Sequence, residues 1–348
     1  MEKLLALLDE QKLTGIFVKG DISIRYFTGF TGGDSLLYVD DNRKIIITDS
    51  RYTLQAKNEA PECEIIEHKG GFWAEVAKLN LSGTSALDGD YFSYSEQCAL
   101  AAAVPNVTFK NINLVSLRQV KTQRELDLIV KAVEISDTAF TQLIPCIKEG
   151  VSEMELAAQL EFNMRKLGSE GVAFETIVAS GARSALPHGL ATAKLVTKGD
   201  FITFDFGAVY KGYRSDITRT LVMGRAFDWQ RDIYEIVLQA NLLGESTVKS
   251  GITGCEVDAK VRKFIADSGY GAYFGHGLGH GVGLDIHEKP VLSRSGGEVL
   301  LPVNSVVTVE PGIYIPGKGG VRIEDTVVVT QEGCHVLTAT PKQLQEIG

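Results

Sequence analysis

Cysteine is scarce and scattered in this 348-residue chain: Cys63, Cys98, Cys146, Cys255 and Cys334 form an odd set with no CxxC spacing. That pattern argues against a disulfide-stapled scaffold and a thiolate metal knot, and favours reduced thiols in a cytoplasmic setting. Long apolar runs are missing too. The stretch Leu4, Leu5, Ala6, Leu7, Leu8 is bounded by Glu2, Asp9 and Glu10, which fits an amphipathic first helix rather than a signal peptide or membrane span. Positive charge is in deficit, with 35 Lys and Arg against 44 Asp and Glu, a formal net charge of -9. Nucleic acid and anionic membrane surfaces would repel such a chain, so neither is an expected partner. Histidine is rare as well, at six residues, and its distribution is therefore informative.

Three of those histidines, His276, His280 and His287, fall within twelve residues, spaced by Gly275, Gly277, Gly279, Gly281 and Gly283. Glycine lets backbone and imidazole approach a ligand closely, so the stretch reads as the wall of a site. Two further segments carry acids where a buried strand should carry none. One is Phe201-Ile202-Thr203-Phe204-Asp205-Phe206-Gly207, followed by Asp216. The other is Val306-Val307-Thr308-Val309-Glu310-Pro311-Gly312, followed by Arg322 and Glu324. Carboxylates in apolar strands need compensating cations, and four of them with histidine fit two divalent ions.

The chain is long for a single core and predicts two domains. Strand-like pieces at residues 15–18, 35–39 and 44–48, the last two joined by the turn residues Asp40-Asp41-Asn42, begin a mixed α/β domain over residues 1–117. A second domain over 118–348 opens where Thr122 and Glu125 have capping-box spacing ahead of an apolar face at Leu126, Ile129, Val130 and Val133. It contains an internal repeat. Gly150-Val151-Ser152 with Glu155 matches Gly251-Ile252-Thr253 with Glu256, and the two helix starts lead to Gly168 and Gly269. Asp205 then aligns with Glu310, and Asp216 with Glu324. Two such halves related by a pseudo-two-fold axis in one sheet would bring all four carboxylates together.

These residues resemble the pita-bread metallopeptidase family that includes methionine aminopeptidase, aminopeptidase P and prolidase. The resemblance spans essentially the whole chain, because an α/β domain ahead of a pita-bread domain is the arrangement of the aminopeptidase P and prolidase branch. It implies an α+β fold, with a creatinase-type α/β domain over 1–117 and a pita-bread domain with its pseudo-two-fold repeat over 118–348. It implies metal ligands Asp205, Asp216, His280, Glu310 and Glu324, with Asp216 and Glu324 bridging two ions. An oxygen-rich donor set of this kind suits Mn²⁺ or Co²⁺, and accommodates Zn²⁺ or Fe²⁺, in preference to copper. His188, in Pro187-His188-Gly189, together with His276 and His287, matches the family's remaining active-site histidines. Arg322 resembles the arginine that orients a ligand carboxylate. Glu310 would also carry protons, His188 and His287 would donate to a developing oxyanion, and His276 with Phe274 and Tyr273 would line a proline pocket.

The implied reaction is removal of the first residue from a peptide with proline in second position, a bond whose nitrogen carries no N–H. Prolidases often carry Arg after the proline that follows the His-Glu pair, whereas here His287-Glu288-Lys289-Pro290 leads to Val291. That departure favours an Xaa-Pro aminopeptidase acting on longer peptides. An Xaa-Pro dipeptidase is the alternative, with Arg294 or Lys289 standing in as the carboxylate clamp. A catalytically silent peptide-binding module and a metal-free creatinase-like hydrolase are the distant alternatives, and the complete ligand set counts against both. The resemblance further implies a homodimer in which Phe27, Phe30 or Trp73 of one chain rims the partner's site.

Overall fold

The structure, a computed structural model, describes residues 1–348 and divides them into two units, Met1–Leu117 and Arg118–Gly348. In the first unit six strands form one sheet in the order Glu64–Glu67, Lys44–Thr48, Leu36–Val39, Gly15–Val18, Gly83–Asp88, Val107–Ile112. The Asp40 turn is stabilised as expected: Asp40 Oδ1 accepts from the amides of Asn42 and Arg43 at 2.9 and 2.7 Å, closing an antiparallel hairpin. Both faces of the sheet are covered by apolar clusters. Phe27 and Phe30 lie inside one of them and are buried, so neither is free to rim another site. Their spacing around the Gly29 turn points both rings inward, and only Trp73 of the three is partly exposed.

The second unit is built twice. Helices Gln123–Leu143 and Glu153–Lys166 pack on one four-stranded sheet, while Asp228–Thr247 and Gly254–Asp267 pack on a five-stranded one. Ser152 with Glu155 and Thr253 with Glu256 both form complete capping boxes, which stabilise each second helix at the same place in its half. The four-stranded sheet orders Glu346–Ile347, Ile217–Met223, Phe201–Phe206, Ile177–Ser180. The other orders Glu288–Leu292, Gly279–Gly281, Val306–Val309, Asp325–Val329, Cys334–Val336.

The single continuous sheet expected from the repeat is therefore two sheets, which meet at one isolated bridge between Thr218 and Glu324. Side chains interrupt the backbone ladder at this seam. Thr220 Oγ1 donates to the Arg322 carbonyl at 2.9 Å, and the fully buried Arg219 donates to the Glu324 carbonyl at 2.5 Å and to the Thr218 carbonyl at 2.9 Å. Arg219 also holds the Asp325 carboxylate at 2.8 Å and the Thr340 carbonyl at 2.7 Å.

A buried charge cluster secures the loop after the histidine-rich strand. Glu288, with a side chain 1% exposed, accepts from Arg118 Nε at 3.0 Å, Lys121 Nζ at 3.1 Å and the Asp285 amide at 3.2 Å. Burial pushes the Lys121 ammonium below its ordinary range despite the attraction of Glu288. Replacing that carboxylate by an amide leaves two buried cations facing a neutral group, a change that typically costs about 3–5 kcal/mol. Glu288→Gln should lower the urea midpoint by that order with an unchanged slope, as followed by circular dichroism; a midpoint equal to that of the wild type would show the cluster to be energetically idle.

Candidate metal centre

The four acids stand at equivalent ends of paired strands. Asp205 is the fifth residue of Phe201–Phe206 and lies opposite Thr218, while Asp216 immediately precedes Ile217–Met223. In the second half Glu310 immediately follows Val306–Val309, and Glu324 immediately precedes Asp325–Val329. Two glycines allow the strands to close this tightly. A Cβ on Gly207 would stand 1.9 Å from the Ser215 carbonyl oxygen, and one on Gly279 would stand 2.0 Å from the Thr308 carbonyl oxygen. Helices fix the strand ends from behind: Asn241 Nδ2 donates to the Val309 carbonyl at 2.8 Å, and Ser136 Oγ lies 2.8 Å from Ser215 Oγ.

The result is a buried cluster short of positive charge. Ligand atoms of Asp216, His280 and Glu324 all lie within 4.8 Å of one another. His280 Nε2 is 3.5 Å from Asp216 Oδ2 and 3.4 Å from Glu310 Oε1. Burial first, and then repulsion from Glu324, Asp205 and Glu310, drives the Asp216 carboxyl well above its usual range. Burial with repulsion from Glu310 and Asp205 does the same to Glu324, and burial lifts Glu310 to about 8.

Two atomic details show that the donor set fits divalent cations. His280 Nδ1 lies 3.1 Å from the Gly281 carbonyl, which claims its N–H and turns the Nε2 lone pair towards the carboxylates. Asp205 Oδ1 is buried without a hydrogen-bond partner, while its other oxygen takes Arg322 Nη2 at 2.5 Å. A lone pair facing carboxylates, beside an unsatisfied carboxylate oxygen, is a costly arrangement that a cation relieves.

The three remaining histidines expected at the site line the same cavity, whose volume is about 520 Å³. His287 stacks edge-on against His280 with ring centroids 4.3 Å apart, and burial lowers its pKa. His276 has both nitrogens engaged, Nδ1 with the Gly277 carbonyl at 2.8 Å and Nε2 with the Tyr314 hydroxyl at 2.8 Å. Burial and the nearby Arg322 lower its pKa to about 4, so the ring is neutral at neutral pH. Phe274 packs edge-on against it, with ring centroids 5.1 Å apart.

Sequence reasoning missed Tyr314, which receives Arg322 Nη1 at 2.8 Å and so connects Asp205, Arg322 and His276 in one chain. It also missed the buried hydroxyls. Thr218 donates to Glu324 Oε2 at 2.6 Å, and Thr308 donates to Glu310 Oε1 at 3.1 Å. Their signal was the same as that of the acids, polar residues inside apolar strands. Arg294 and Lys289 do not line the cavity; Val291, Ser293 and Ser295 do. Both cations sit on exposed positions where they remain hydrated.

Glu310 has a folded-state pKa of about 8 against an ordinary 4.5, and Asp216 and Glu324 are raised in the same sense. Groups raised in this way contribute their stability below the unfolded pKa and lose it as pH rises through the folded one. Below about pH 6.5 the histidines with lowered pKa oppose this trend, so chelated protein should melt at progressively lower temperature as pH rises from about 6.5 to about 8, and added Mn²⁺ should flatten or reverse the trend. A chelated profile that is level across this window, measured by scanning calorimetry, would contradict the carboxylate repulsion described above.

Comparison with known proteins accounts for both units. Residues 127–331 match metallopeptidase family M24, and residues 1–120 match the creatinase/prolidase N-terminal domain. The chain is 41% identical to a Xaa-Pro dipeptidase of Pyrococcus furiosus, over 99% of each sequence. Among solved structures, a Xaa-Pro dipeptidase from Bacillus anthracis superposes with a TM-score of 0.94 at 44% identity, covering 99% of this chain and 98% of that one. An X-Pro aminopeptidase from Thermotoga maritima gives the same TM-score of 0.94 at 41% identity, over 99% of each chain. The chain thus belongs to metallopeptidase family M24, in the branch that carries a creatinase/prolidase domain at its amino terminus.

Proposed function

We propose that this enzyme hydrolyses the peptide bond between a first residue and proline, using two divalent ions held by Asp205, Asp216, His280, Glu310 and Glu324. The observation that carries the reading is the buried, cation-deficient carboxylate cluster with the His280 Nε2 lone pair directed into it. Relatives named Xaa-Pro dipeptidase and X-Pro aminopeptidase, each matched over nearly its full length, support the bond chosen. Asp216 and Glu324, one from each half, would bridge the pair of ions, and manganese or cobalt suits the oxygen-rich donors. When bound, such ions supply the Lewis acidity that activates water and polarises the scissile carbonyl.

The chain's own side chains do the rest. Glu310, steadied by Thr308, takes the proton of the attacking water and delivers it to the proline nitrogen, which leaves as a secondary amine. His188 and His287 donate hydrogen bonds to the carbonyl oxygen as it gains charge. Arg322 holds Asp205 and, through Tyr314, keeps the neutral His276 in one orientation beside the cavity. The five scattered thiols favour a cytoplasmic enzyme, and the family resemblance favours a homodimer.

Dipeptides are the substrate favoured by the names of the relatives in Pyrococcus furiosus and Bacillus anthracis. Longer peptides are the second reading, favoured by a cavity wall whose Val291, Ser293 and Ser295 are uncharged and whose Arg322 is already engaged by Asp205, Tyr314 and the Pro187 carbonyl, which leaves no cation free for a product carboxylate. Ala-Pro and Ala-Pro-Ala assayed side by side, with Mn²⁺, with Co²⁺ and with chelator, separate the two. Metal-dependent cleavage of neither would overturn the proposal.

Single substitutions test the roles. Asp216→Ala or Glu324→Ala should empty the site of metal, as measured by elemental analysis. His188→Ala or His287→Ala should keep the metal and lose turnover by about 10²-fold, the usual cost of one oxyanion donor. Full metal and full activity in Asp216→Ala would remove the bridging assignment.

A further inference from the structure

His188 is carried on a loop whose two feet rest on one carboxylate outside the cavity. Glu153 is the first residue of the helix Glu153–Lys166, a position where an acid ordinarily sits in solvent near the positive end of the helix dipole. Here its side chain is 0% exposed. It accepts the amide and hydroxyl of Ser180 at 2.7 and 2.9 Å, and the amide and hydroxyl of Thr192 at 3.1 and 2.7 Å. The Arg183 guanidinium completes the set as an ion pair. Ser180 ends the strand Ile177–Ser180, and Thr192 is where the chain returns to the helix, with its carbonyl accepting the Met154 amide at 3.0 Å.

Between these feet the loop is internally tied. Arg183 Nη2 donates to the Leu190 carbonyl at 2.7 Å, and the Leu190 amide donates to the His188 carbonyl at 3.0 Å. On the cavity side Arg322 Nη1 donates to the Pro187 carbonyl at 3.1 Å. The His188 backbone is thus gripped from within by Arg322 and from behind by Glu153, while Pro187, His188 and Leu190 face the cavity.

Helix capping does not explain Glu153, because Ser152 and Glu155 already form the capping box. Nor does the repeat require it. The residue after the corresponding cap, Thr253, is Gly254, where a Cβ would lie 1.9 Å from the Val291 carbonyl oxygen. The carboxylate is a feature of the half that carries His188.

We infer that Glu153 is a positioning residue for His188, holding Ser180, Arg183 and Thr192 together so that the imidazole stays at the place from which it donates to the substrate carbonyl. This rests on the role given to His188 in the proposed function. A shift of about 1 Å in such a donor costs on the order of 10² in rate.

The test is a double-mutant cycle on purified metal-loaded protein, with Glu153→Gln, His188→Ala and the pair assayed on the better of Ala-Pro and Ala-Pro-Ala. Glu153→Gln keeps the shape but presents an NH₂ group to donors. It should lower kcat by about 10- to 100-fold with KM and metal content unchanged, and it should cost nothing further once His188 is Ala. Equal losses in both backgrounds would assign Glu153 to general stability and overturn the inference. A second measurement is independent of turnover: amide hydrogen exchange of residues 181–191 should quicken in Glu153→Gln while the helix Glu153–Lys166 stays as protected as in wild type. Unchanged exchange in the loop would also overturn the inference. Wild type that cleaves no Xaa-Pro peptide would refute the proposed function and leave the exchange result to stand or fall by itself. Should Glu153→Gln fail to fold, Glu153→Asp, which keeps the charge and shortens the reach, goes through the same cycle with the same criteria.

Discussion

Carboxylates buried within a few ångströms of one another repel, and burial strengthens the repulsion by removing the water that would screen it. Asp205, Asp216, Glu310 and Glu324 are held in that condition by strand ends that glycine allows to approach within van der Waals limits. Gly207 and Gly279 occur where any side chain would strike a carbonyl of the neighbouring strand. Asn241 and Ser136, reaching from two different helices, hold the residues next to Glu310 and Asp216. The scaffold spends conformational stability to keep negative charge concentrated, and cation binding is the process that recovers it.

Polar side chains that are not ligands maintain the geometry. Thr218 and Thr308 each satisfy one oxygen of an acid and leave the other oxygen free. Arg322 neutralises part of Asp205 through Nη2 while Nη1 reaches both the Pro187 carbonyl and the Tyr314 hydroxyl, so a single guanidinium spans the acid cluster and the loop of His188. A lysine could not make these contacts together, because its ammonium lacks the planar fork.

Much of this was legible in the sequence. Acids interrupting apolar strands, histidines among glycines and paired capping boxes are local patterns, and each marks its own position. The repeat aligned Asp205 with Glu310 and Asp216 with Glu324, which is where the two halves place them. What stayed hidden depended on contacts between distant segments. The break between the two sheets arises from Arg219 and Thr220 reaching across the seam, and no periodicity signals it. Tyr314 reads as one more aromatic in a strand until His276 and Arg322 are seen on either side of its hydroxyl. Glu153 reads as an ordinary acid in the first turn of a helix, and its burial follows from the return of Thr192, nearly forty residues later. Phe27 and Phe30 were misjudged because aromatic character says nothing about which way a helix end turns.

The bridge between Thr218 and Glu324 joins the two sheets, and it lies beside the acids each half contributes. Separating the halves there and diluting the ligands of an ion are one and the same displacement. Metal affinity in this protein is therefore also a gauge of how firmly its halves are docked. Whatever draws the seam together, a peptide lying across the cavity included, must tighten ion binding by the same factor by which the ions tighten its own.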